Sequence, residues 1–236
     1  MIKLAISGSR GKMGQRIVGL AQQDKQFKIV KLLERKGHDD IGMKIGNPIV
    51  TDNINQIKNA DVLIEFTSPD ATMEHLKACL KYKKSIVIGT TGLTQEQKKE
   101  IEAASKKIAV VLSPNMSLGV NLLFKLIEEA ADRLSRDYRV GIIEAHHVHK
   151  KDSPSGTAKK IAQIIEKARE EQVKDIKSIR QGEIVGDHEV VFESDFDTIK
   201  ISHFAKTRDI FAKGALSAAK WIVRKNKGLF STQDIL

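Results

Sequence analysis

Through the first half of the chain, short apolar runs alternate with longer stretches in which apolar residues recur every three or four positions. Ile2 to Ile6 is one such run, and Gly8, Gly11 and Gly14 follow it, then Ile17, Val18 and Leu20 at helical spacing. That order predicts a strand, a tight turn and a helix. Ile29 to Leu33 reads as a second strand, and the polar, glycine-punctuated stretch from Gly37 to Asn47 as a loop. Val62 to Phe66 and Ser85 to Ile88 are further buried-strand candidates, with a helical stripe through Met73, Leu76 and Leu80 between them. A helix over Gln95 to Lys107 and a strand over Ile108 to Leu112 complete the alternation. Such an order predicts a parallel sheet with right-handed crossovers, in which ligands collect at the carboxyl ends of the strands. The turns Gly8 to Gly14, Thr67 to Asp70, Gly89 to Gly92 and Ser113 to Met116 all fall at such ends.

From Leu118 the pattern changes. Val120, Leu123, Phe124, Ile127, Ala130, Ala131 and Leu134 describe an amphipathic helix, and Tyr138 to Ala145 a strand that delivers His146 at its end. Pro154 suits the first turn of a helix running to about Glu171, with Ser153 as its cap. Ile176 to Arg180, His188 to Glu193 and Thr198 to Phe204 then read as strands, and Ile210 to Val223 as a final helix. A second domain built on a sheet with two helices is therefore expected to start near Leu118.

The first glycine turn carries chemistry. Glycines there let backbone amides approach an anion, and the helix start adds unpaired N–H groups and a positive dipole end. The spacing is GxxGxxG rather than GxGxxG. The second strand ends at Glu34 and Arg35, where an acid can hydrogen-bond ribose hydroxyls and an arginine can accommodate a 2′-phosphate. Having both predicts use of NADH and NADPH, against the alternative of a solvated, charged strand end.

Composition narrows the picture. The 236 residues include 40 Lys+Arg against 30 Asp+Glu, a net charge of +10, but the lysines are spread over helical patterns and aromatics are only 5%. Solvated helix faces and attraction of small anions account for that better than nucleic-acid binding does. Cys79 is the only cysteine, which excludes an intrachain disulfide and suits a buried small hydrophobe. The segment MIKLAISGSRG reaches glycine before any signal-peptide core forms, and no apolar run is long enough to span a bilayer. The expectation is a soluble, cytoplasmic protein.

The densest chemistry lies in EAHHVHKKDSPSGTA, Glu144 to Ala158. Three histidines beside Glu144 invite a zinc reading, yet neighbouring strand residues point to opposite faces, and neither HExxH nor paired cysteines accompany them. Histidines satisfied in the surface or core, a nucleophilic serine and a Schiff-base Lys150 remain as alternatives. The reading that uses most of the residues is proton transfer beside an anion site. Ser155, Gly156 and Thr157 would offer amides and hydroxyls at a helix start, His147 and Lys150 would hold a second negative group, and His146 would exchange a proton near neutral pH. Joined to a nicotinamide site, these groups make a reductase of an acidic small molecule, in which the cofactor supplies hydride and the protein supplies proton and orientation.

The same string resembles the signature of the 4-hydroxy-tetrahydrodipicolinate reductase family, the bacterial dihydrodipicolinate reductases of lysine and diaminopimelate biosynthesis. The likeness extends over GSRGKMG at Gly8 to Gly14, EFTSPD at Glu65 to Asp70, GTTG at Gly89 to Gly92, SPNMSLGVN at Ser113 to Asn121 and GLF at Gly228 to Phe230. Glu65 stands where Asp is more usual, and the Gly37 to Asp52 loop and the C-terminus are short. The resemblance implies an α/β fold: a Rossmann-like dinucleotide-binding domain over 1–117 and 208–236, and an α+β substrate and oligomerisation domain on a mixed sheet over 118–207. It implies reduction of 4-hydroxy-tetrahydrodipicolinate with NADH or NADPH, no metal, and a homotetramer. His146 is then the proton donor or acceptor and Lys150 a proton donor, with His147, Lys150, Ser155, Gly156 and Thr157 on the substrate dicarboxylate. The cofactor would meet Gly8, Ser9, Arg10, Gly11, Lys12 and Met13, then Glu34 and Arg35. Gly89, Thr90 and Thr91, and Ser113, Pro114, Asn115 and Met116, would complete its site.

Overall fold

The structure is a computed structural model that describes residues 1–236. The chain divides into two compact units, Met1–Leu118 with Asp209–Leu236, and Gly119–Arg208.

The first unit opens with β1 (Ile2–Ser7), α1 (Lys12–Gln23), β2 (Phe27–Leu33) and β3 (Val50–Thr51). A 3₁₀ turn at Ile54–Asn59 leads to β4 (Val62–Glu65), α2 (Pro69–Tyr82), β5 (Ser85–Ile88), α3 (Gln95–Ser105) and β6 (Ala109–Leu112). The second unit holds α4 (Leu118–Arg133), β7 (Arg139–His146), α5 (Gly156–Arg169), β8 (Asp175–Arg180), β9 (Asp187–Glu193) and β10 (Thr198–Phe204). The chain then returns to the first unit with α6 (Asp209–Ile222), β11 (Gly228–Phe230) and a last 3₁₀ turn, Thr232–Ile235.

In the first unit seven strands pair in the order β11-β6-β5-β4-β1-β2-β3, every neighbour parallel. The order reverses between β1 and β4, so the loops after those two strands diverge and leave a crevice at their carboxyl ends. Alternation along β1 feeds two cores. Leu4 and Ile6 pack with Ile17 and Ala21 of α1 and Ala215 and Ala219 of α6, while Ala5 packs with Leu76 and Cys79 of α2 and Ile101 of α3. Helix starts are capped as their sequences dictate: Ser68 accepts from Ala71 N ahead of Pro69, and Thr94 with Gln97 forms a capping box. Gly214 lets α6 lie directly on the β6–α4 turn, because a side chain there would collide with the Met116 carbonyl.

The second unit has a mixed four-stranded sheet in the order β10-β9-β7-β8, with β7 and β8 parallel and the other pairs antiparallel. Helices α4 and α5 cover it through Leu123, Ile127, Ile161 and Ile165 on Ile142, Val190 and Phe192.

Three expectations change. Val50–Thr51 and Gly228–Phe230 are strands that extend the first sheet at its two edges, but two or three residues are too few to show a period. The cap of α5 is Ser155 rather than Ser153, so Pro154 lies outside the helix, after a cis bond.

Candidate active site

In the first unit, the turn after β1 is shaped by glycines where side chains cannot go. Gly8 has a left-handed φ of +66°, and a Cβ on it would sit 2.5 Å from the Phe66 carbonyl. A Cβ on Gly14 would strike the Gly8 carbonyl. These contacts press the turn onto the start of α1, where Gly11 is the cap and no side chain satisfies the first amides. Lys12 and Met13 thus open a helix whose dipole end is bare, the arrangement that binds a pyrophosphate. Ser9 lies within the turn with a buried hydroxyl that has no partner in the protein. A dinucleotide therefore fits this turn.

Glu34, at the end of β2, accepts from Arg10 N at 2.6 Å and from Arg35 N at 3.4 Å, so it already braces the glycine turn. The Arg10 guanidinium is held by Asp40, whereas Arg35 is exposed. Gly89 follows β5 with the Phe66 ring filling the space of its absent side chain. Thr90 is buried and accepts from Thr67 N at 3.1 Å, and Thr91 is exposed. After β6, Ser113 donates to the Asn115 carbonyl at 2.8 Å, Asn115 Oδ1 accepts from Ser117 N at 2.9 Å, Met116 is buried and Pro114 is exposed. All four loops stand at carboxyl strand ends of one sheet. In this unit the sequence did not foresee the contacts of buried Glu65, which Thr67 and His75 both engage, the latter with Nδ1 at 2.5 Å.

In the second unit, β7 carries Ile142, Glu144 and His146 on one buried face, so the two polar groups continue a core stripe. Glu144 is fully buried. Its Oε2 lies 2.5 Å from His146 Nδ1 and 3.0 Å from Arg180 Nη1, and its Oε1 lies 2.9 Å from Arg180 Nη2 and 3.2 Å from Ser155 N. Burial works to raise the Glu144 pKa, but hydrogen bonds from Arg180 and His146 outweigh it and hold the carboxyl at about 2. For His146, burial lowers the pKa, the Glu144 carboxylate opposes that, and the charges of Lys150 and Arg180 add to the lowering. The Glu144 carboxylate accepts Nδ1–H, which leaves Nε2 as the open nitrogen.

Beyond His146 the chain turns, with Lys150 N bonded to the His147 carbonyl at 3.1 Å. Lys150 Nζ sits 2.8 Å from Asp152 Oδ1. His147 is half-buried with an unpartnered Nδ1, and His149 is exposed near Glu183. Ser155 caps α5 by accepting from Ala158 N at 3.2 Å. Gly156 has open space around it and Thr157 is half-buried. The candidate proton-transfer and anion-binding groups thus lie in one unit, with Glu144 joining His146 to the helix start. His149 stands apart. No cluster of three or more His, Cys, Asp or Glu side chains has a metal-binding arrangement.

Sequence reasoning missed Arg180 and His188. His188, on β9 opposite Glu144, lies edge-on to His146 with centroids 5.2 Å apart, and its Nε2 is 3.4 Å from Ser155 Oγ. Only 4% of it is exposed, and burial, then the His146 charge, pushes its pKa from 6.5 down to about 4. A histidine with a depressed folded-state pKa costs stability on acidification, because the unfolded chain takes up the proton first. Its contribution is intact above pH 6.5 and is lost as pH falls toward about 4. Denaturant titrations near pH 7.5 and near pH 5 should differ by about 2 kcal/mol from this group alone. His188→Asn should shrink the difference by that amount, and an unchanged difference would assign the effect elsewhere.

A parallel sheet with a bare, glycine-lined helix start, and a separate His-Lys cluster beside a second helix start, are the parts that an oxidoreductase using a pyridine nucleotide needs. The model for "Dihydrodipicolinate reductase, N-terminus" matches residues 2–116, and that for the C-terminus of the same enzyme matches 119–236. The chain belongs to the dihydrodipicolinate reductase family. Among curated relatives, the 4-hydroxy-tetrahydrodipicolinate reductases of Geotalea daltonii and Ralstonia pickettii are 39% and 41% identical, each alignment covering all of this chain and 99% of the relative. A solved structure of dipicolinate-bound dihydrodipicolinate reductase from Paenisporosarcina sp. TG-14 superposes with a TM-score of 0.87 at 27% identity, with both chains fully covered. Diaminopimelate dehydrogenase of C. glutamicum shares the fold at a TM-score of 0.62 and 11% identity.

Proposed function

We propose that this chain reduces 4-hydroxy-tetrahydrodipicolinate to tetrahydrodipicolinate in lysine and diaminopimelate biosynthesis. The reaction consumes one hydride and one proton and releases water. The observation that carries this reading is the His146, Lys150 and Ser155–Thr157 cluster in a chain whose relatives, along their full length, are reductases of that acid. Bound pyridine nucleotide supplies the hydride.

The residues do the rest. Gly156 and Thr157 amides, the Thr157 hydroxyl and the Ser155 hydroxyl receive one substrate carboxylate at the positive end of α5. Lys150 and His147 hold the other, Lys150 exchanging its contact with Asp152 for the ligand. A dianion beside His146 favours the imidazolium, so substrate binding loads His146 with the proton that the reaction consumes. Lys150, whose ammonium is a second proton source at the same turn, assists. Backbone amides of Gly11, Lys12 and Met13 hold the pyrophosphate, Glu34 the adenosine ribose, and the Gly89–Thr91 and Ser113–Met116 turns the nicotinamide half.

Steady-state oxidation of NADH with the condensation product of pyruvate and aspartate semialdehyde tests the assignment. Absence of turnover would refute it. Both NADH and NADPH serve, because Glu34 suits a free ribose and exposed Arg35 meets a 2′-phosphate. Arg35→Ala should therefore raise KM for NADPH roughly tenfold while KM for NADH changes little. Equal changes for the two cofactors would remove the 2′-phosphate role. The enzyme works in the cytoplasm, and no helix is long and apolar enough to cross a membrane. A homotetramer is the assembly that the family resemblance supports, and exposed Phe196 and Phe204 in the second unit offer apolar surface for contacts between copies.

A further inference from the structure

We propose that Glu144, clamped by Arg180, is the positioning residue of this site: one buried carboxylate sets the tautomer of His146, the start of α5 and the turn that carries Lys150. The inference rests on the reading of His146 as the proton-exchanging group, and it assigns work to two residues that this reading leaves unused.

The geometry is specific. Arg180 reaches Glu144 with both terminal nitrogens, one to each oxygen, the fork-to-fork pairing that fixes a carboxylate in plane as well as in place. The remaining lone pairs take His146 Nδ1 and Ser155 N. Arg180 Nη2 also donates to the Asp152 carbonyl at 2.6 Å, and the Asp152 side chain holds Lys150. Through one ion pair, β7, β8, the 147–152 turn and the first residue of the anion-binding cradle share a single reference point.

Stability alone is a weak reason for such a pair. Taking a carboxylate and a guanidinium out of water costs about as much as their attraction returns, and apolar side chains of similar size often serve a core as well or better. Chemistry gives the arrangement its use. With Nδ1–H committed to Glu144, only Nε2 can exchange a proton with a ligand. Gly186 keeps that nitrogen uncovered, since a Cβ there would lie 3.1 Å from it. The charged and titratable groups around the ring are Glu144 on β7, Arg180 on β8, His188 on β9 and Lys150 on the turn. Glu144 is the only anion among them, so of the protein's own groups it alone favours the imidazolium that the reaction needs.

Glu144→Gln tests this, because it preserves shape and removes charge. kcat should fall about 100-fold, with cofactor affinity unchanged. The alkaline limb of the kcat/KM profile should move to lower pH, since the anion that supports His146 protonation is gone while Arg180 and Lys150 remain. Glu144→Asp, which keeps the charge, should keep that limb near its original position. In protein labelled with ¹⁵N-histidine, the shifts of His146 should report a fixed Nδ1–H tautomer in the unaltered chain and a mixture of tautomers in Glu144→Gln. A merely structural role would lower the amount of folded enzyme and leave limb and tautomer in place, and that result would overturn the proposal. If Glu144→Gln does not fold, Arg180→Lys answers the same question, because it keeps a cation but loses the fork. An unmoved kcat in that variant would equally reject it. Failure of the underlying reading looks different: His146→Gln would then keep its turnover whatever Glu144 variants do.

Discussion

Replacing His146 by glutamine should lower kcat about 10²- to 10³-fold while leaving pyridine-nucleotide affinity as it is. Glutamine can fill the space and form a hydrogen bond, but it cannot take up and release a proton near neutral pH. The loss belongs to the chemical step, so kcat and kcat/KM should fall together. The glycine turn proposed to bind the cofactor lies in the other unit and should not notice the change. Lys150→Ala should move kcat in the same direction and also raise KM for the substrate, because its ammonium is proposed both as a proton source and as a carboxylate contact. Steady-state kinetics with a fluorescence titration of NADH separates these effects. Near-wild-type turnover in His146→Gln would remove the residue from the mechanism.

The second large effect is expected in the first unit. Gly14→Ala places a methyl group against the Gly8 carbonyl and within 2.7 Å of the Gly8 carbonyl carbon and the Ser9 Cα, all of them backbone atoms that cannot swing aside. The turn must shift, which should cost roughly 3 kcal/mol of stability and weaken NADH and NADPH alike on the order of 100-fold. Gly19, one turn and a half further along α1, has nothing within 4 Å of where a Cβ would go. Gly19→Ala should thus stabilise the chain by about 0.5–1 kcal/mol through helix propensity alone. Thermal unfolding of the two variants side by side, with NADH titration, is a direct comparison of one substitution in two surroundings. If Gly14→Ala bound cofactor normally, the close approach of α1 to the turn would have no part in binding.

Much of the fold could be read from the sequence because its longer strands are apolar runs bounded by glycine or proline, and its helices carry regular stripes. Val50–Thr51 and Gly228–Phe230 escaped because pairing across a sheet edge, rather than any local pattern, makes them strands. The residues proposed for anion binding and proton transfer stood out because they crowd into fifteen positions, Glu144 to Ala158. Their supports did not. Arg180 lies 36 residues from Glu144, and His188 meets it only through the β7–β9 register. One signal was available: a glutamate two positions before a histidine on a strand shares its face, so the contact of Glu144 with His146 follows from the strand period. The same kind of hidden pair, Glu65 with His75, spans a strand and a helix ten residues apart, where no single period connects them.

Helix α6 has a bearing on how the molecule is made. Ala212, Ala215, Ala218, Ala219 and Ile222 are fully buried against strands that left the ribosome far earlier. Until α6 has emerged, one face of the nascent β-sheet that shapes the glycine turn is covered by α1 alone, whereas Gly119–Arg208 is contiguous and has a core of its own. Gly119–Arg208 can therefore complete its core before the unit that begins the chain. A ribosome stalled before the last helix would hold a chain whose first unit leaves the α6 side of its core uncovered, the kind of apolar surface that chaperones and proteases recognise.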